Sequence, residues 1–152
     1  MNLFAIARAT GIPIRTLRYV LEHRVLPGAE RASRGHRVTR QFTAFEAFGI
    51  ACAAALLDAG VRRPSVTRCM RRLTTRRGAG TSPSDIPLWQ AFTATAGAAI
   101  EVAGERAVRV RVGSRRSADG WIHLVTGRRL STMPDPLVRI TLDASALRDV
   151  LR

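Results

Sequence analysis

Arg15, Thr16, Arg18 and Tyr19 lie within about one helical turn and present two guanidinium forks, a hydroxyl and a phenol. Such groups donate hydrogen bonds to phosphate oxygens and to the base edges of a duplex groove. Arginine binds both targets bidentately, whereas lysine acts as a point charge. A second set, Arg34, His36, Arg37 and Arg40, follows within the stretch Pro27 to Arg40. The chemistry this pattern supports is recognition of a polyanion. Bond-making is not expected: Ser65 and Ser145 read as helix-start residues with no base and orienter beside them. The acids are too few and scattered for a carboxylate pair. No catalytic residue, cofactor or metal site is therefore expected.

Positioning the first set requires a short helix, a tight turn and a second helix. Leu3-Phe4-Ala5-Ile6-Ala7 has apolar residues at i, i+3 and i+4, which suits an amphipathic first helix. Gly11 permits the turn, and Pro13 suits the first turn of the next helix. Ile14, Leu17, Leu21 and Val25 form its expected inward stripe, with Arg15, Arg18, Tyr19 and Glu22 outward. Pro27-Gly28 ends the run, and the residues to Arg40 read as a β-hairpin wing turning near Ser33-Arg34-Gly35. Thr43 and Glu46 form a capping box for a third helix, about Ala44 to Ala59, whose apolar surface marks it as the buried centre. Gly60 ends it, and a fourth helix runs from about Arg63 to Leu73.

The chain has 152 residues and a net charge of +14, and all 25 of its basic residues are arginine. Residues 1–77 hold 15 arginines against four acids, a net of +11, so the charge is concentrated beside the reading helix. No apolar run reaches the ~20 residues that span a bilayer, and the start lacks a secretory pattern. Cys52 and Cys69 lack metal-ligand spacing and read as buried thiols suited to a reducing cytoplasm. His23 and His36 are isolated, so packing or phosphate contact outranks metal ligation, and His123, inside the Trp121–Val125 run, reads as a sheet residue. Arg62, Arg63, Arg68, Arg71 and Arg72 suit a solvated face as well as they suit DNA.

Residues 74–87 are nearly free of apolar side chains and read as a linker. Leu88 to Ala98 reads as a helix around Trp89 and Phe92. Strands are expected at Val108–Val112, Trp121–Val125 and Val138–Leu142, and a last helix capped by Asp143 carries Leu147, Val150 and Leu151.

Residues 3–73 resemble the winged-helix domain of the MerR family of transcription regulators. The resemblance rests on Arg15-Thr16-Leu17-Arg18-Tyr19, on Leu26-Pro27, on Gly35-His36-Arg37 in the wing, and on Phe42-Thr43 with Glu46. It implies that Arg15 and Thr16 touch base edges or nearby phosphates, that Arg18 and Tyr19 fasten the helix to the backbone, and that Arg37 clamps a flanking phosphate. Val20, Leu21 and Arg24 stand where the family often has a second Tyr, an acid and a Gly. The family's long coiled-coil helix is interrupted here by residues 74–87. Excisionases of phages and mobile elements use a similar reader.

The expected fold class is therefore α+β: a winged helix-turn-helix of four helices and a hairpin over 1–74, a linker over 75–87, and a small, mainly antiparallel β domain with a terminal helix over 88–152. The expected function is a cytoplasmic, nucleoid-associated regulator that reads an inverted repeat on double-stranded DNA as a homodimeric repressor. RNA polymerase is a further partner in the activating variant, and no membrane is involved. The alternative is an excisionase-like architectural accessory protein.

Overall fold

Asn2 opens the first helix, α1 (Leu3–Thr10), its side-chain oxygen accepting from the Ala5 N–H at 2.9 Å. This is the computed structural model of the chain, and it describes residues 1–27, 40–75, 82–94, 97–103, 107–112, 121–123 and 139–151. The expected wing, with Arg34, His36 and Arg37, lies outside the described residues. Helix α1 stops at Gly11, whose φ of 71° is left-handed and whose N–H returns to the Ala7 carbonyl. The Thr10 hydroxyl donates to Ile6 O at 2.8 Å and accepts from Ile12 N at 3.3 Å, tying the turn to the helix it leaves.

Helix α2 (Ile14–Glu22) begins after Pro13 with no side-chain cap, so packing must hold it. Leu17, Val20 and Val25 are completely buried, while Ile14 and Leu21 are only partly so. The inward stripe is thus rotated slightly from the expected Ile14-Leu17-Leu21-Val25. Both i+3 and i+4 steps stay on one helical face, and packing against a neighbour chooses between them. Burying each such side chain contributes about 1.5–3 kcal/mol.

The end of α2 holds an informative strain. Val25 N–H bonds to Val20 O at 2.9 Å and Arg24 N–H to Leu21 O at 3.2 Å, the paired bonds of a Schellman ending. That motif puts Arg24 at φ 50°, the one left-handed non-glycine among the described residues. Helix α3 (Ala44–Asp58) ends with the same two bonds, but there Gly60 occupies the left-handed position at φ 84°. A side chain at this conformation costs about 1 kcal/mol that glycine avoids. Arg24→Gly is accordingly expected to raise stability by about 0.5–1 kcal/mol, read as a higher urea midpoint at unchanged slope. A lower midpoint would mean that the Arg24 side chain's own contacts outweigh the backbone strain.

The expected capping box opens α3: Thr43 Oγ1 accepts from Glu46 N at 3.2 Å, and Glu46 Oε2 accepts from Thr43 N at 2.8 Å. Every residue from Ala47 to Ala54 is buried, so α3 is the central element around which α1 and α2 pack. Alanines and Gly49 let neighbouring helices approach it closely, with Phe48, Ile50 and Leu56 filling the space between. Helix α4 (Arg63–Thr74) buries Val66, Met70 and Leu73 and exposes Arg68 and Arg71. Met1 and Phe42 exchange backbone hydrogen bonds, which brings the chain to the start of α3.

The chain forms two compact units, Met1–Arg71 with Ala146–Arg152, and Arg72–Ser145. The last residues therefore belong to the first unit and not to the sheet, a grouping that no local signal reveals. In the second unit, part of the expected linker is ordered: Pro83–Asp85 makes a single 3-10 turn capped by Ser82. Gln90 Nε2 donates to Ser84 O at 2.7 Å and ties that turn to α5 (Pro87–Thr93). The helix expected to reach Ala98 stops at Thr93, and Ala98 instead starts a strand.

That strand, β1 (Ala98–Ala103), pairs antiparallel with β2 (Ala107–Val112) and with β4 (Arg139–Asp143), and β2 also pairs antiparallel with β3 (Trp121–His123). The sheet order is β3-β2-β1-β4. Residues 98–102 of β1 are all buried, so this strand has no polar face to produce the alternation that marks a strand in sequence. Ser145 Oγ accepts from Ala98 N and donates to Ala98 O, while Asp143 Oδ1 accepts from Ser145 N at 3.0 Å. Asp143 thereby caps α6 (Ala144–Asp149) as expected. The chain is of mixed helix and sheet, an α+β fold.

Candidate nucleic-acid interface

The outer face of α2 carries Arg15, Arg18, Tyr19 and Glu22, all exposed. Thr16 is half-buried beside them. The face exists because Leu17 and Val20 are drawn fully into the core, leaving the charged positions nowhere to go but solvent. Among the described residues, neither Arg15 nor Arg18 has an ion-pair partner. These two guanidiniums, one turn apart, each offer a planar fork of donors of the kind that pairs with an anion. Glu22 is the only acid on this helix.

One flank of the face opens into a cleft of about 420 Å³ lined by Arg15, Thr16, Tyr19, Leu57, Asp58 and Arg63. Its walls come from α2, from the end of α3 and from the start of α4. Two arginines against one aspartate leave the lining net positive. Tyr19 supplies an aromatic surface and Leu57 an apolar one. Past Tyr19, the His23 ring lies 4.1 Å from the Tyr19 ring at an interplanar angle of 51°. Arg63 Nη1 donates to His23 Nδ1 at 3.2 Å.

Of the eight residues expected to bind DNA, α2 brings together Arg15, Thr16, Arg18 and Tyr19. Arg40 lies apart from them in the chain, half-buried, with its guanidinium 4.6 Å from the centre of the Phe42 ring. Such stacking fixes a guanidinium plane and leaves its edge able to donate. Arg34, His36 and Arg37 lie outside the described residues. Arg63 joins the group, as does His23, which the sequence assigns to packing or phosphate contact. Arg63 looked equally suited to a solvated helix face, and its partner is 40 residues away. No local pattern links two such positions.

The remaining reactive side chains sit elsewhere. Cys52 and Cys69 are both buried and unbridged, in accord with their expected role as core thiols. Burial pushes the Cys52 thiol pKa well up, so it stays protonated and unreactive. Among the described residues, no three His, Cys, Asp or Glu side chains form a group that could hold a metal ion. No described helix is long and apolar enough to cross a membrane. No family model, curated protein or solved structure matches the chain.

Proposed function

We propose that the chain is a sequence-specific DNA-binding transcription regulator, with α1, the Gly11 turn and α2 forming the helix-turn-helix of a MerR-like winged-helix domain. The observation that carries this reading is the pair of exposed arginines, Arg15 and Arg18, without ion-pair partners among the described residues, on a helix whose Leu17 and Val20 are fully buried. A helix of nine residues fits the width of a major groove, and its N-terminal half, where Arg15 and Thr16 stand, is the part that meets base edges. Arg18 and Tyr19 lie further along the helix and, in this reading, fasten it to flanking phosphates. The net charge of +14 supplies the long-range attraction to a duplex, and the asymmetry toward residues 1–77 directs it.

One such helix reads only a few base pairs, too little for a unique genomic site, so the working form is a homodimer on an inverted repeat. It acts as a repressor in the cytoplasm, on the nucleoid, with no enzymatic step. Selection of binding sites from random duplexes with the purified full chain tests this directly. The expected product is a two-fold symmetric motif. Enrichment of direct repeats would favour an architectural accessory protein of the excisionase kind, and no enrichment would overturn sequence-specific binding altogether.

A further inference from the structure

His23 ends α2 as its C-cap residue, exposed and outside the core, yet it touches two of the groups that shape the cleft. Its ring leans on Tyr19, four residues back on the same helical face. Its Nδ1 receives a hydrogen bond from Arg63, which enters from the first residue of α4. An arginine has no acceptor, so the direction of that bond is fixed: Nδ1 must accept, and the ring proton belongs on Nε2. The same ring therefore restrains an aromatic side chain on the reading helix and a guanidinium on another element.

We propose that His23 is a positioning residue that sets the geometry of the reading face by bracing Tyr19 against Arg63. It need not touch DNA itself. Arg63 is a long side chain with several rotatable bonds and Tyr19 turns about two, and each must lose its freedom when it binds a fixed target. A brace that orders both beforehand leaves less ordering to be done on association. The effect falls on selective binding, where geometry matters, and spares diffuse attraction to any duplex, which depends only on charge.

This inference rests on the DNA-binding reading above, and its test separates the two. The first measurement involves no DNA: long-range ¹H–¹⁵N spectra of the full chain in mildly alkaline buffer report which ring nitrogen of His23 carries the proton. The brace requires the Nε2–H tautomer, and an Nδ1–H tautomer overturns it. The second compares the wild type with His23→Ala, His23→Asn and Arg63→Ala on a selected duplex and on a random one. His23→Ala is expected to lose about 5–10-fold in affinity for the selected duplex only, with unchanged thermal stability. His23→Asn keeps an acceptor near the Nδ1 position and recovers part of the loss. His23→Ala and Arg63→Ala together lose less than the product of the single effects. Equal losses on both duplexes, or independent effects in the double variant, overturn the brace while leaving DNA reading intact. If the wild type selects no duplex, the DNA reading fails, and the tautomer alone still judges the His23–Arg63 contact.

Discussion

A variant with Arg15→Ala and Arg18→Ala together is expected to lose affinity for its selected duplex by at least about 30-fold at moderate salt. A bidentate contact from Arg15 to a base contributes roughly 1–3 kcal/mol, and a charge-assisted hydrogen bond from Arg18 to a phosphate about 1.5–3 kcal/mol. Together they contribute about 2.5–6 kcal/mol when they act independently. Both side chains are exposed and, among the described residues, without ion-pair partners, so their removal leaves the fold unaltered. Circular dichroism should show the same helix content and melting temperature as the wild type. The salt dependence distinguishes the kinds of contact. Each lost phosphate contact makes the slope of log affinity against log salt shallower by roughly 0.9, whereas a lost base contact leaves the slope alone and flattens sequence preference. Fluorescence anisotropy across a salt series reads both. Wild-type affinity and selectivity in this variant would remove α2 from the interface and end the proposed function.

The second large effect concerns stability. Phe48 is the bulkiest side chain fully enclosed in the first unit, near the start of the all-buried stretch of α3. Phe48→Ala removes most of an aromatic ring from a site with no route to solvent, and the surrounding helices can close the space only in part. The expected loss is about 3–5 kcal/mol. Domains of this kind have about 5–15 kcal/mol in total, so the variant should melt lower by on the order of 20 °C. The chain holds two units, and its two tryptophans, Trp89 and Trp121, both lie within Arg72–Ser145. Far-ultraviolet circular dichroism therefore follows the helical first unit better than tryptophan fluorescence does. A drop below about 5 °C in that signal would show that α3 is not the centre of the core.

The two predictions address different sides of one helix arrangement. α2 has no side-chain N-cap and a left-handed arginine after its end, so its local sequence alone holds it weakly. Its place depends on Leu17 and Val20 packing against α3. Loss of Phe48 should accordingly weaken DNA binding indirectly by loosening the support of α2, whereas loss of Arg15 and Arg18 should do so with no change in melting. The pair of measurements separates a damaged reader from a damaged foundation.

Much of the first unit was legible in the residues themselves. Gly11, Thr43 with Glu46, and Gly60 mark helix ends through bonds to backbone groups a few positions away, and the ends fall where these residues stand, whereas the Asn2 cap emerged only in the structure. Charge and its asymmetry are properties of composition, and the outward placement of Arg15, Arg18 and Tyr19 follows from helical periodicity. The strand β1 was not legible. Its alanines favour helix, and enclosure between β2 and β4 on the sheet outweighs that small preference.

The sequence by itself thus settled the helices around α2, the residues that face outward from it and the excess of positive charge near it, because each depends on neighbours within a few positions. Only the tertiary structure decided that Val20 turns inward, that residues 98–103 form a central strand, that the last residues join the first unit, and that Arg63 reaches His23 beside the cleft. These depend on which distant surfaces meet. Packing chooses among local conformations that differ by only about 1 kcal/mol, and no short window of sequence contains the partner that makes the choice.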